Sequence, residues 1–237
     1  MIDYSDTPFL ETSKTAPFVN RLNWRCEINL TRNLDAIQGK RILDLACHDG
    51  RFSYACVKLG ASSVTGVEGR PELVESAKAN VPEATFICAD LFDYLQQVEP
   101  GTFDTILCMG FFYHTIRQTE LLTILKALKP QNVIIDTAVY KDGRMLRWAR
   151  RLNATAKKVR RRRVPETNTF MSYWFEDPNN EAMTIENHGI AAVPTQSLLE
   201  TLMRLHGFSF KELPWQVPDW EHLEDYLDRR RVSYILS

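Results

Sequence analysis

Arg41-Ile-Leu-Asp-Leu-Ala-Cys-His-Asp-Gly50, followed by Val64-Thr-Gly-Val-Glu68, decides how this chain folds. The first stretch reads as a buried strand running into a tight turn that opens a helix, and the second as a strand ending on a carboxylate. Such a unit holds a nucleotide: the turn lets backbone approach the ligand, and the later acid accepts hydrogen bonds from ribose hydroxyls. Glu68 follows Asp44 by 24 positions, close to the spacing of a strand–helix–strand unit. The turn is not the G-x-G-x-x-G of a dinucleotide enzyme, because Gly50 is its only glycine. No lysine stands where a P-loop would grip phosphate. The expected ligand is therefore adenosine-like, without a pyrophosphate.

Outward from this unit, strands and helices alternate, the pattern of a doubly wound α/β fold. Strands are expected near 41–46, 63–67, 84–88, 103–109 and 132–138, and helices near 51–59, 71–79, 91–97 and 117–128. Pro71 suits the first turn of its helix, and Pro130 follows the last of the four. Thr195–His206 reads as a further helix, Phe208–Leu213 as a strand, and the alternating Arg231-Val-Ser-Tyr-Ile-Leu236 as the last strand. Before the core, residues 1–16 are expected to be poorly ordered. Apolar residues at near-helical spacing from Pro17 to Gln38, stopped by Gly39, predict a helical cap over the cofactor end of the sheet.

With these motifs in order, the chain resembles the class I S-adenosylmethionine-dependent methyltransferases. The resemblance implies a Rossmann-like, seven-stranded, mostly parallel sheet with helices on both faces and an antiparallel last strand beside the sixth. It implies S-adenosyl-L-methionine as cofactor and S-adenosyl-L-homocysteine as product. Asp44, Ala46, Cys47, His48 and Gly50 would then surround the methionine end, and Glu68 would hold the ribose. Asp90 would face the adenine amino group beside Leu91, and Met109 would close the fourth strand. The chain departs from the family at two usual glycines, Ala46 and His48. Alanine is a mild change, whereas histidine would crowd or contact the methionine moiety.

Gly110-Phe-Phe-Tyr-His-Thr115 follows the fourth strand, where the family places its acceptor. This stretch most resembles the tRNA-wobble-uridine carboxymethyltransferase group and related bacterial small-molecule and sugar O-methyltransferases. A histidine near neutrality suits deprotonation of a hydroxyl, so His114 is the leading base and Tyr113 its neighbour at the substrate. His188, in Glu186-Asn-His-Gly189, is the second candidate base. Each has a plainer reading: His114 as a helix cap or packed loop residue, His188 as turn material.

The chain divides on this reading into an N-terminal cap (1–39), a cofactor-binding core (40–138), an insertion (139–193) and a C-terminal part of the core (194–237). The first half of the insertion is strongly basic, ending in Arg160 to Arg163. It reads as a nucleic-acid footprint for tRNA, as a basic amphipathic helix on a membrane surface, or as a solvated lid. Its second half predicts a hairpin in which Phe170–Phe175 pairs with Met183–Glu186, and Tyr173 and Trp174 would wall an acceptor pocket.

At 237 residues, with 44 % hydrophobic and 25 % charged residues and net charge −1, the composition is that of an ordinary α/β domain. No signal peptide or membrane span is evident, and five cysteines without C-x-x-C spacing suggest reduced, packed thiols, so a cytoplasmic protein is expected. No metal is expected, although Asp136, Glu186 and His188 are the residues that would converge on magnesium. The favoured function is O-methylation of a small hydroxylated metabolite. The alternatives are a tRNA-modifying methyl- or carboxymethyltransferase and a cofactor-binding protein without catalysis.

Overall fold

The computed structural model describes residues 1–12, 18–141, 170–175 and 189–237. The basic run from Arg144 to Arg163, the Met183–Glu186 half of the expected hairpin and His188 lie outside the described residues.

Strands β1 (Arg41–Leu45), β2 (Ser63–Glu68), β3 (Thr85–Cys88), β4 (Thr105–Met109) and β5 (Asn132–Ala138) form a parallel sheet. Two later strands, β8 (Phe210–Glu212) and β9 (Arg231–Leu236), complete it in the order β3-β2-β1-β4-β5-β9-β8. β9 runs antiparallel to both β5 and β8, so the last strand is inserted between the fifth and the one before it. This is the seven-stranded Rossmann-like architecture expected from the sequence.

Alternation of side chains along the strands sends successive residues to opposite faces. Leu43 and Leu45 pack with α5 (Leu91–Leu95), α6 (Gln118–Ala127) and α7 (Gln196–Leu205) on one side. Ile42 faces α3 (Arg51–Lys58) and α4 (Pro71–Asn80) on the other. Gly66 in the middle of β2 has a packing reason: a Cβ there would lie 2.6 Å from the Phe86 ring and 2.7 Å from Cys47 Sγ. Helix starts are built as their sequences suggest. Pro71 opens α4, and Asp90 Oδ1 accepts from the backbone N–H groups of Phe92 and Asp93 at the start of α5.

The N-terminus departs from expectation. Residues 1–12 contain a short helix, α1 (Phe9–Thr12), and the Tyr4 and Phe9 side chains are fully buried against α3. The Tyr4 hydroxyl donates to the Arg51 carbonyl and meets Cys26 Sγ at 3.0 Å. Two aromatic residues isolated among polar ones look like tail composition, yet each fills a gap in the helical layer. The predicted helix from Pro17 to Gln38 is α2 (Val19–Asn29) followed by a 3-10 segment, Thr31–Ala36, with a break at Asn33.

The first half of the expected hairpin is a strand, while its second half lies outside the described residues. Among the described residues, β6 (Met171–Phe175) pairs antiparallel with β7 (Ile190–Pro194). Ala191, Ala192 and Val193 are buried, and β7 packs against the segment that follows β4. Small apolar side chains permit that close approach. No helix among the described residues is long and apolar enough to cross a membrane.

Candidate active site

A cleft of about 270 Å³ opens across the tips of the parallel strands. Its first half lies over β1, β2 and β3. Ala46, Cys47 and His48 form the turn after β1, and Glu68, Asp90 and Leu91 line the adjoining wall. Ala46 and His48 adopt positive φ angles (50° and 55°), the left-handed region that glycine enters most easily. The two departures from the family's glycines therefore keep the glycine-like backbone, and Ala46 is more than a mild change.

That turn is tied to the β2 carboxylate. Glu68 Oε2 accepts from the His48 backbone N–H at 3.0 Å, and Oε1 accepts from Arg70 Nε at 2.9 Å. Arg51 donates to Asp49 Oδ1 at 2.8 Å and lies 2.9 Å from His48 Nδ1. Burial works against ionising Asp49, but the His48 hydrogen bond and the Arg51 charge hold its carboxyl down at about 2. Asp44 is placed differently from expectation. It is buried behind the turn, accepts from Ser53 Oγ at 2.7 Å, and does not line the cleft. Burial pushes its carboxyl up to about 7, against the Ser53 hydrogen bonds. Gly50, also φ positive at 85°, starts α3 without lining the cleft.

The half over β4, β5 and β9 is assembled from distant segments. Met109 and Gly110 end β4, and the 3-10 turn Phe112–His114 follows. Tyr113 and His114 both line the cleft, with ring centroids 4.0 Å apart. α2 brings Arg21 and Arg25 to the same wall, and Arg231 comes from the start of β9. Arg21 pairs through both guanidinium nitrogens with Asp225, at 2.8 and 2.7 Å. The Phe18 ring stacks on His222 at 3.6 Å, so α2 is clasped to the segment that precedes β9. The cap thus covers the β4–β5–β9 end of the cleft.

Beneath these arginines lies Asp136, fully buried at the tip of β5. Its carboxylate accepts from Arg231 Nε and the Tyr226 hydroxyl at 2.6 Å each, and from Arg25 Nε at 3.4 Å. Burial alone would raise its pKa, yet the Arg25 and Arg231 charges hold it well below the usual carboxylate range. Asp136 is thereby committed to guanidinium partners rather than to magnesium, and no metal-holding cluster occurs among the described residues.

Tyr173 and Trp174 do not reach the cleft. They lie on β6, 65 % and 55 % exposed, and form no part of the cavity wall. Sequence reasoning missed the Arg21, Arg25, Tyr226 and Arg231 constellation. Its signal was a pair of arginines one helical turn apart in α2, which only a partner carboxylate on β5 makes meaningful.

The cleft fits an adenosyl ligand on its own geometry. A left-handed turn with a closely approaching backbone, a carboxylate at the tip of β2 and the apolar pair Leu91 and Phe92 are arranged along one wall.

Residues 42–131 match the family described as Methyltransferase domain. Over 112 residues the chain is 39 % identical to the 23S rRNA (uracil(1939)-C(5))-methyltransferase RlmD of Shewanella amazonensis, covering 43 % of this chain and 23 % of that protein. Over 120 residues it is 31 % identical to the mitochondrial ubiquinone biosynthesis O-methyltransferase of Schizosaccharomyces pombe, covering 48 % and 43 %. The chain thus spans less than half the length of either relative. Among solved structures, the N-terminal domain of EvdMO1 with S-adenosylhomocysteine bound shares the fold. Its TM-score is 0.59 at 17 % identity, over 95 % of this chain and 81 % of that one.

Proposed function

We propose, from the premise that residues 42–131 are a methyltransferase domain of the class I S-adenosylmethionine-dependent kind, that the protein methylates a hydroxyl of a small metabolite. The observation that carries this reading is the placement of Tyr113 and His114. Both line, directly after β4, the same cleft as the Ala46–His48 turn and Glu68. S-adenosylmethionine, when bound, supplies an electrophilic methyl on a sulfonium that leaves as a neutral thioether.

The protein's part is alignment and proton handling. Glu68 and the turn hold the adenosyl end, with Asp90 and Leu91 beside the base. The His114 imidazole would take the proton of an acceptor hydroxyl, readying that oxygen for the methyl that the bound cofactor would supply. Tyr113, its ring tilted against His114, orients the acceptor, and α2 with Arg21 and Arg25 shields that end from solvent. His188 is the second base in this proposal.

The test is an acceptor screen over sugars and small hydroxylated metabolites, scored by S-adenosylhomocysteine formed. On the acceptor found, His114→Ala should lower kcat by about 10²–10⁴-fold while leaving S-adenosylhomocysteine affinity unchanged. Full turnover by both His114→Ala and His188→Ala would remove the base role.

A second reading is an RNA acceptor, with methyl or carboxymethyl transfer to tRNA as one form. The rRNA-methylating relative favours it, together with the Phe112-Tyr113-His114 resemblance. It requires salt-sensitive tRNA binding whose slope shrinks when Arg160–Arg163 are neutralised.

A further inference from the structure

Five arginines line the cleft, and four of them have a carboxylate close at hand. Arg21 has Asp225, Arg51 has Asp49, Arg70 has Glu68, and Arg231 has Asp136. Arg25 is the fifth. It shares Asp136 with Arg231, but on weaker terms: Nε is 3.4 Å from Oδ2, against 2.6 Å from Arg231 Nε to Oδ1. Arg25 Nη2 lies 3.4 Å from Asp136 Oδ1 without hydrogen-bond alignment, and it is buried with no hydrogen-bond partner.

A buried guanidinium donor left unmade costs about 1–3 kcal/mol or more, so proteins rarely leave one without a use. Arg25 is only 8 % exposed, with its guanidinium 4.8 Å from the Phe52 ring centroid. Its Nη2 stands beside Gly110, where a Cβ would come within 3.5 Å of it and within 3.2 Å of Arg231 Nη2. Glycine, at φ 97°, therefore lets both guanidiniums pack against the backbone at the tip of β4. Two cations thus meet at the cleft wall and share one buried carboxylate.

We infer that Arg25, beside Gly110 and Arg231, is the seat of a carboxylate carried by the methyl acceptor. The inference rests on the acceptor lying over β4 and β5, as proposed above, and it narrows the substrate to hydroxylated acids. Strand order supports the assignment. Arg25 and Arg231 meet over β4 and β5, on the far side of β1 from the Glu68 and Asp90 walls that suit an adenosyl group. A planar carboxylate matches a guanidinium edge, and a fixed arginine selects it over a neutral amide.

The test is side-chain ¹⁵N NMR of the arginines, assigned with Arg25→Lys, on the full chain titrated with acetate and, as control, acetamide. One titration is run alone and one with saturating S-adenosylhomocysteine, whose own binding is measured separately by calorimetry. Saturable shifts of Arg25 by acetate with the nucleoside present, at least tenfold tighter than for acetamide and lost for Arg231 in Arg25→Met, are the expected result. Shifts seen only without the nucleoside would show that the cofactor's own carboxylate takes the seat, and would overturn the assignment to the acceptor. Absence of shifts under both conditions would overturn it outright. Failure of S-adenosylhomocysteine to bind would remove the methyltransferase reading instead, and acetate alone would still decide whether Arg25 seats a carboxylate.

Discussion

The cleft half over β1, β2 and β3 takes its walls from residues between positions 46 and 92, whereas the half over β4, β5 and β9 gathers side chains from position 21 to position 231. The first is held by backbone: a left-handed turn, a backbone N–H to Glu68, a capped α5. The second is held by charge, with Asp136 buried under Arg25, Arg231 and Tyr226. Local geometry can be specified by a short motif. A buried ion cluster needs its partners delivered by folding, which makes it the part of the site most sensitive to a single substitution.

The largest effect should come from breaking the charge-built half. Asp136→Ala leaves two buried guanidiniums without their carboxylate and should destabilise the fold by about 3–5 kcal/mol in urea unfolding. A loss under about 1 kcal/mol would show that the cluster is not what holds this end together.

Next comes the backbone-built half. Glu68→Gln weakens the tie to the turn and, on the proposed role of Glu68 at the ribose, S-adenosylhomocysteine should bind about 10–100-fold more weakly by calorimetry. Tyr113→Phe should leave that affinity unchanged. If Tyr113→Phe weakened nucleoside binding as much as Glu68→Gln, the division of the cleft into two halves would fail.

Asp44 gives a pH-dependent contrast. Its folded pKa, about 7, lies above that of the unfolded chain, so the native state binds the extra proton between roughly pH 4 and 7. The stability it contributes is fully present below pH 4 and lost as pH rises through 7. Asp44→Asn should therefore gain on the parent protein with rising pH, by on the order of 4 kcal/mol at pH 8 relative to pH 4. A constant difference across that range would place the carboxyl's titration elsewhere.

The smallest effect concerns the turn. Ala46→Gly relieves a left-handed alanine and should raise stability by about 0.5–1 kcal/mol in thermal unfolding, with cofactor affinity retained. A loss of stability would mean that the Ala46 methyl contributes packing beyond its backbone strain.

Much of the fold was legible because β1, β2 and β4 are apolar runs closed by turn residues, and such periodicity survives in one dimension. Glu68, Asp90 and the Ala46–His48 turn were legible for the same reason, since each ends a strand. Tyr113 and His114 were found through their place after β4. Tyr173 and Trp174 were misplaced because an aromatic strand reads alike whether it faces a pocket or solvent. The pairing of β6 with Ile190–Pro194 was not legible because it depends on the segment against which that strand packs.

By itself, then, the sequence determined the α/β alternation, the nucleoside-type turn and the acid that follows it, because short-range sterics and hydrophobic period act within one unit. Only the tertiary structure decided that Tyr4 and Phe9 are core, that Asp44 hides behind the turn, and that Arg25 and Arg231 converge on Asp136. Those outcomes depend on which charges and cavities meet across the sheet, and the free energy of burying an ion is set by partners far away in the chain.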